Sequence, residues 1–230
     1  MNVSHISGNF VFDMDEVLVN ISPEMYRIVR LNWRKYHRWF KDFGNLTDAQ
    51  ILDRPHFDIV EWLLKDEIKK LPEEAQKKTR GQIWDTIAGD CFNGDLYALL
   101  EPTEFAKRTI MNKVFMEHVR VNKVYILTRY VSDPMLESKK KFVRKFFSHP
   151  KVELVPVKRN EKKSDILKQK KIKWNLFVDD ELKNIADFAE NLDLAGKEFL
   201  IPALGYNEIG LALDILIKEK GGVCNYYDTK

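Results

Sequence analysis

The sequence predicts an α/β protein that has a parallel β-sheet core and one inserted helical segment. From residue 101 onward, short apolar stretches alternate with helical patterns, and this alternation is typical of parallel sheets. Residues 21–100 instead show helical periodicity and no alternating strand pattern. We therefore expect an α/β core formed by residues 1–20 and 101–230, with residues 21–100 as a helical insert.

The first predicted strand is the apolar stretch Phe10 to Phe12, which suits a buried strand. Two carboxylates, Asp13 and Asp15, follow it. Since a buried strand cannot hold two charges, both are expected at its C-terminal edge, where open α/β sheets bind ligands. Neighbouring carboxylates repel unless a cation lies between them or one keeps its proton. The pair therefore indicates a hard-metal site or a nucleophile beside an acid.

The insert begins with a pattern that is typical of a helix start: Ser22 as cap, Pro23 in the first position, then Glu24. Apolar residues continue the helical spacing to about Phe40, so we expect one helix over this range. Further helix starts are expected at Thr47 or Asp48, at Pro55 and at Pro72.

After the insert, strands and helices are expected to alternate. The predicted strands are 123–128, 152–157, 174–178 and 198–201. The predicted helices are 102–118, 133–147, 164–171, 181–192 and 208–218.

Three of the predicted strands end in polar side chains that could serve one site. Asp13 and Asp15 follow the first strand, Thr128 ends the second, and Asp179 and Asp180 follow the strand 174–178. In a parallel sheet these ends share one edge. Four carboxylates converging there need a cation, and their oxygens suit Mg²⁺. A hydroxyl and a lysine beside them suit a phosphoryl group, whose charge develops on its equatorial oxygens.

These residue types, in this order, resemble the haloacid dehalogenase superfamily of phosphohydrolases. The resemblance implies a Rossmann-like parallel α/β core, with the insert as a helical cap. The stretches similar to its four motifs are, in order, Phe-Val-Phe-Asp13-Met-Asp15-Glu-Val-Leu, Val-Tyr-Ile-Leu-Thr128, Lys163 at a helix start, and Leu-Phe-Val-Asp179-Asp180.

The resemblance also implies a mechanism. Asp13 would be the nucleophile that forms an aspartyl-phosphate. Asp15 would protonate the leaving oxygen and then activate water, while its backbone carbonyl touches the metal. Thr128 would hydrogen-bond the phosphoryl group, and Lys163 would neutralise Asp13 and the phosphate. Because dehalogenases of this superfamily lack the acid two residues after the nucleophile, Asp15 favours a phosphatase.

The resemblance implies that Asp179 and Asp180 hold Mg²⁺ together with Asp13 and Asp15. They could also simply cap the helix that follows them. The lysine of the third motif could be Lys162 or Lys163. We favour Lys163, because it lies one helical turn before Leu167.

The first motif, in the form Asp-Met-Asp-x-Val-Leu, is similar to that of the 5′(3′)-deoxyribonucleotidases, so a (deoxy)nucleoside monophosphate is the expected substrate. Aromatic residues of the insert could stack a base, although Trp33 and Tyr36 also fit an apolar helix core. Glu16 departs from the nucleotidase pattern, which has glycine there. The candidate substrate-binding residues are Arg129, Trp33, Tyr36, Trp39 and Phe40.

Charge is unevenly distributed along the chain. Residues 139–173 contain 14 Lys and Arg against three acidic residues, a local net charge of +11 within a total of +3. This asymmetry suits an anionic partner, although a solvated, lysine-rich helical face would also explain it. An alternative to the nucleotidase function is therefore a phosphatase that acts on the phosphorylated ends of nucleic acid. A catalytically silent domain that binds a phosphorylated ligand or a protein is a third alternative, which the full motif set disfavours.

The remaining composition indicates no membrane or metal-thiolate chemistry. The apolar runs are too short for a membrane span, and the N-terminus lacks the pattern of a secretory signal. Two distant cysteines make no disulfide framework, and the five histidines lack zinc spacing. We therefore expect a cytoplasmic protein.

Overall fold

A computed structural model describes residues 8–54, 59–92, 95–118, 121–191 and 199–202. Five strands form one sheet: β1 (Gly8–Phe12), β2 (Val121–Tyr130), β3 (Val152–Lys158), β4 (Leu176–Asp179) and β5 (Phe199–Pro202). All neighbours pair in parallel, in the order β3-β2-β1-β4-β5. The predicted α/β class, with its parallel core, is confirmed.

Strand β1 lies at the centre of the sheet, between β2 and β4. Alternate residues of β1 face opposite sides, as strand geometry requires. Phe10 and Phe12 belong to the larger apolar core cluster, whereas Val11 packs in a second cluster with Leu127 and Phe177. Both faces of β1 are therefore buried, and the first charged side chain after it can lie only at the strand's end.

The described part of the insert is helical. Its α-helices are α1 (Ser22–Leu31), α2 (Trp33–Tyr36), α3 (Asp48–Leu52), α4 (Ile59–Leu63), α5 (Asp66–Lys69) and α6 (Glu73–Ile87). A π-helical turn, Ala88–Phe92, continues α6. The predicted cap at Thr47 is present, since its hydroxyl accepts from Gln50 N and the Gln50 side chain accepts from Thr47 N.

The single helix expected to reach Phe40 is interrupted after Leu31. Asn32 leaves the helical conformation, with φ −102° and ψ 26°, and its side-chain amide donates to the carbonyl of Ile28 at 2.9 Å. Asparagine side chains compete in this way with the backbone ladder of a helix. The expected helix start at Pro55 lies outside the described residues.

Among the described residues after the insert, five α-helices accompany the sheet: α7 (Glu104–Arg108), α8 (Lys113–His118), α9 (Asp133–Phe146), α10 (Lys163–Gln169) and α11 (Leu182–Asn191). A short 3₁₀ helix, Leu96–Leu99, precedes them. The helix expected over 102–118 is broken at Thr109, whose backbone adopts φ −111° and ψ −92°. The helix expected over 208–218 lies outside the described residues. In the described part of the chain, no helix has both the length and the apolar character needed to cross a bilayer.

Gly8, at the start of β1, has a backbone conformation that few other residues adopt, with φ +137°. A Cβ at this position would lie 1.9 Å from Oδ1 of Asn175, the atom that accepts from the N–H of Asn9. We expect Gly8→Ala to lower the free energy of unfolding by about 1–3 kcal/mol. The substitution strains the backbone at this φ, and the new Cβ displaces the Asn175 side chain from its hydrogen bond with Asn9. Chemical denaturation measures this change.

The matched control is Gly81→Ala, in the interior of α6, where a new Cβ meets nothing within 4 Å. This substitution should stabilise the protein by about 0.5–1 kcal/mol through helix propensity. Equal effects of the two substitutions would contradict the assignment of strain to Gly8.

Candidate active site

The C-terminal edge of the sheet gathers the acidic residues predicted from the sequence. Asp13 directly follows β1, and its N–H donates to the carbonyl of Val178 on β4 at 2.9 Å. Asp179 ends β4 and Asp180 follows it. Thr128, near the end of β2, is fully buried. Parallel pairing places these strand ends side by side, as the alternating pattern led us to expect.

Lys163, the first residue of α10, joins two of these strands. Its Nζ lies 2.8 Å from Oδ1 of Asp13 and 2.6 Å from Oδ2 of Asp179. Burial lowers the pKa of Lys163, but the two carboxylates outweigh this effect and raise the pKa above its usual value, so the lysine stays charged. Lys162 instead lies 3.7 Å from Asp187. Of the two lysines considered from the sequence, Lys163 is the one that contacts Asp13 and Asp179.

Asp179 is held on both oxygens. Its Oδ1 accepts from the Glu181 N–H and from Nδ2 of Asn184, each at 2.8 Å, while Lys163 occupies Oδ2. Burial raises the pKa of Asp179 to about 6, although Lys163 opposes this shift. Burial raises the pKa of Asp180 well above its ordinary value, and the charges of Asp13 and Asp179 add to the shift. Both shifts reflect negative charge packed into a dry site.

The three carboxylates of Asp13, Asp179 and Asp180 could hold a metal ion. Each offers an oxygen, and among the described residues these atoms lie within 4.8 Å of one another, all in buried side chains. Lys163 supplies one positive charge against three carboxylates. The remaining negative charge and the all-oxygen donor set fit a hard divalent cation such as Mg²⁺.

Asp15 is turned away from this cluster and is held by two residues that the sequence did not single out. Its Oδ1 accepts from the Tyr97 hydroxyl at 2.8 Å, and its Oδ2 accepts from Nζ of Lys139 at 2.7 Å. Lys139 had been counted with the basic face of its helix. A signal was nevertheless available, because Lys139 is four residues after Met135 and three before Phe142, on the buried stripe of α9.

Arg129 lies beside Thr128 at the same edge. Its Nη1 donates to Glu181 at 3.0 Å and its Nη2 to Oδ1 of Asn184 at 3.1 Å. Since Asn184 also donates to Asp179, this guanidinium is linked to the acidic cluster. Asn184 follows Asp179 by five residues, and its pattern in the sequence carried no signal.

Glu16, the departure from the nucleotidase pattern, has φ 60°, in the left-handed region that glycine adopts readily. Its Oε1 accepts from the N–H of Ser22 at 2.7 Å and from the Ser22 hydroxyl at 2.5 Å. A glutamate is tolerated here because its carboxylate satisfies the first turn of α1.

A cavity of about 840 Å³ lies above the site, with Asp13, Asp15 and Lys163 among its lining residues. Its lining includes both apolar and basic residues. Among the apolar residues are Ile21, Met25, Trp84, Phe92, Val131 and Met135. The basic residues are Arg54, Arg129, Arg159, Lys162 and Lys183.

Solved structures of haloacid dehalogenase-like proteins are similar to this chain. One is a haloacid dehalogenase-like hydrolase from Streptococcus pneumoniae, with a TM-score of 0.51, 13% identity, and coverage of 91% of this chain and 90% of the other. The chain has the haloacid dehalogenase-like fold.

Other similar structures have lower scores. A provisionally named phosphoglycolate phosphatase from Lactobacillus plantarum has a TM-score of 0.45 at 14% identity, covering 85% of this chain and 86% of that one. A provisionally named β-phosphoglucomutase from Thermotoga maritima has a TM-score of 0.44 at 16% identity, covering 90% of each chain. No protein-family model and no curated protein sequence matches the chain.

The four aromatic residues suggested for base stacking do not line the cavity of this haloacid dehalogenase-like fold. Tyr36, Trp39 and Phe40 are buried in the core of the insert, where Tyr36 and Phe40 stack with ring centroids 5.7 Å apart. The Tyr36 hydroxyl donates to Asp90 at 3.0 Å, and Trp33 packs partly buried against the same core. The helical spacing of these four aromatic residues reflects their packing in the core. The aromatic residues that line the cavity are Trp84 and Phe92.

The raised pKa of Asp180 predicts a pH-dependent cost in stability. A carboxyl whose folded pKa exceeds its unfolded value favours the folded state at low pH, and this contribution is lost as pH rises through the folded pKa. We expect Asp180→Asn to stabilise the metal-free protein at pH 8 by on the order of 1 kcal/mol or more, and by less at pH 5. Thermal unfolding in a chelator measures the difference.

The control is Asp165→Asn, an exposed position on α10, which should show little pH dependence. Added Mg²⁺ should raise the unfolding temperature of the wild type more than that of Asp180→Asn. A gain for Asp180→Asn that does not change with pH would contradict the assignment.

Proposed function

We propose that this protein is a Mg²⁺-dependent phosphatase that hydrolyses phosphate monoesters through an aspartyl-phosphate on Asp13. The observation that carries the proposal is the constellation at the sheet edge. Asp13 is paired with Lys163 beside Asp179 and Asp180, which could hold a metal with it, and Asp15 lies two residues further on and lines the cavity.

Asp13 is suited to attack phosphorus. Lys163 occupies Oδ1 of Asp13, so the other oxygen is left for the nucleophilic step. The Lys163 charge also offsets the repulsion between a carboxylate and an incoming phosphate. When bound, Mg²⁺ supplies further neutralisation of the phosphoryl charge. Asp13, Asp179 and Asp180 are the side chains that would hold it.

Thr128 and Asp15 complete the constellation. Lys139 donates to Oγ1 of Thr128 at 2.6 Å, so the threonine hydroxyl keeps its own proton to donate to a phosphoryl oxygen. Asp15 gives a proton to the leaving oxygen as the ester bond breaks, and then takes a proton from the water that hydrolyses the aspartyl-phosphate. The leaving alcohol and inorganic phosphate are the products.

A (deoxy)nucleoside monophosphate is the proposed substrate. The cavity volume of about 840 Å³ lies within the range of small-molecule sites. Its lining includes Trp84 and Phe92, on which a base can stack, and arginines and lysines that suit an anionic ligand. Arg129, which also lines the cavity, is proposed to contact the substrate.

A phosphate-release screen with Mg²⁺ tests this function. Nucleoside monophosphates, sugar phosphates and short phosphorylated oligonucleotides serve as substrates, and Asp13→Asn serves as the control. We expect release from nucleotides and a loss of about 10⁴-fold or more in Asp13→Asn, because the covalent step is removed. Release that survives Asp13→Asn, or no release from any substrate, would contradict the phosphatase assignment and favour a silent binding domain.

The same screen separates the nucleic-acid alternative. Two residues of the basic stretch, Lys139 and Lys163, are buried, and three of them, Arg159, Lys162 and Lys163, line the cavity. A phosphatase for nucleic-acid ends would prefer oligonucleotides and lose activity steeply with salt. A nucleotidase would show little of that salt dependence.

Base stacking predicts a role for Trp84. We expect Trp84→Ala to raise KM for nucleoside monophosphates about tenfold, since a stacked base contributes on the order of 1–3 kcal/mol. KM for glycerol phosphate, which has no ring, should change little. Trp62→Ala is the control, because Trp62 stacks on Phe43 at 4.9 Å and is not among the lining residues of the cavity. Equal effects of the two variants on nucleotide KM would sink the stacking assignment.

A further inference from the structure

Lys139 is a buried cation that contacts the carboxyl of Asp15 as well as the hydroxyl of Thr128. The exposed fraction of its side chain is 0%, although it lies on a helix rich in exposed lysines. Its Nζ contacts Oδ2 of Asp15 at 2.7 Å, Oγ1 of Thr128 at 2.6 Å and the Arg129 carbonyl at 2.7 Å. An ammonium has three donors, so all three are engaged. Such a group is costly to bury, and an apolar side chain would suit this position on α9 better if packing alone decided it.

The carboxyl of Asp15 is held from two sides. Lys139 donates to Oδ2, and the Tyr97 hydroxyl, itself buried, donates to Oδ1 at 2.8 Å. The side chain of Asp15 remains 21% exposed, and Asp15 lines the cavity. A carboxylate offers about four lone-pair sites, and the two donors use two of them. The two that remain are available to a proton or a water on the substrate side.

We propose that Lys139 and Tyr97 are positioning residues that fix the carboxyl of Asp15 for proton transfer to the leaving oxygen. Lys139 also ties this carboxyl to Thr128, so that one ammonium sets the acid and the phosphoryl-binding hydroxyl in a common geometry. This inference rests on the proposed phosphatase function. A small displacement of a proton donor is sufficient to weaken general acid catalysis strongly.

The test uses aryl phosphates that differ in the leaving phenol and little in shape, from phenyl phosphate to 4-nitrophenyl phosphate. A good leaving group departs as the anion and needs little help from an acid, whereas a poor one depends on the proton from Asp15. The value of kcat/KM covers the steps up to aspartyl-phosphate formation, and therefore reports departure of the phenol. The proteins compared are the wild type, Lys139→Met, Tyr97→Phe and the control Lys140→Met, which changes an exposed lysine paired with Glu137.

We expect Lys139→Met to lower kcat/KM for phenyl phosphate about tenfold or more and that for 4-nitrophenyl phosphate only a few-fold, because only the first reaction needs the acid. Tyr97→Phe should show the same selectivity to a smaller degree, and Lys140→Met should match the wild type. A uniform loss across the series in Lys139→Met and Tyr97→Phe, or no loss in either, would overturn the inference.

A double substitution shows whether Lys139 acts through Asp15. On an Asp15→Asn background, Lys139→Met should not lower kcat/KM for phenyl phosphate any more than kcat/KM for 4-nitrophenyl phosphate, since residues that act as a unit are not additive. A further loss confined to phenyl phosphate on that background would contradict the inference. Circular dichroism establishes that each variant is folded, and if Lys139→Met does not fold, the near-isosteric Tyr97→Phe decides. A wild type inactive on every phosphate ester would overturn the proposed function itself, and this inference with it.

Discussion

The candidate site depends on one interaction at the sheet edge, in which Lys163 offsets the repulsion between the carboxylates of Asp13 and Asp179. Parallel pairing brings the ends of β1 and β4 together, and with them the carboxylates of Asp13 and Asp179. Lys163 contacts both, and without it the two strand ends would hold like charges in a dry environment. The cost that remains appears in the raised pKa of Asp179 and Asp180. This uncompensated negative charge favours the binding of a cation between the carboxylates.

Two buried lysines each form an ion pair with a different aspartate of the site. Lys163, from the helix after β3, is paired with Asp13, the proposed nucleophile, and Lys139, from the helix after β2, is paired with Asp15, the proposed acid. Asp13 and Asp15 are two residues apart, yet they have separate positive partners. This separation gives chemically identical side chains different environments, which is how one loop can supply both an attacking group and a proton donor.

The sequence was informative where periodicity and topology act together. Apolar runs that end in carboxylates identified β1 and β4, and the alternation of strands and helices implied that Asp13, Thr128 and Asp179 share an edge. Lys139 was missed because charge counting treats every lysine of a basic helix alike, and only its phase on α9 distinguishes it. The sequence could not show which tryptophans line the cavity and which pack in the core. Trp33 and Trp84 both lie on helices of the insert, and only the folded structure shows that Trp84 borders the cavity.

Glu16 links the loop that follows β1 to the first helix of the insert. Its carboxylate holds the first residue of α1, while its backbone directly follows Asp15. A tilt of α1 must therefore either break these hydrogen bonds or rotate the peptide that carries the acid. Ser22 and Met25 of α1 also line the cavity, so one helix both borders the cavity and is hydrogen-bonded to the residue that follows Asp15.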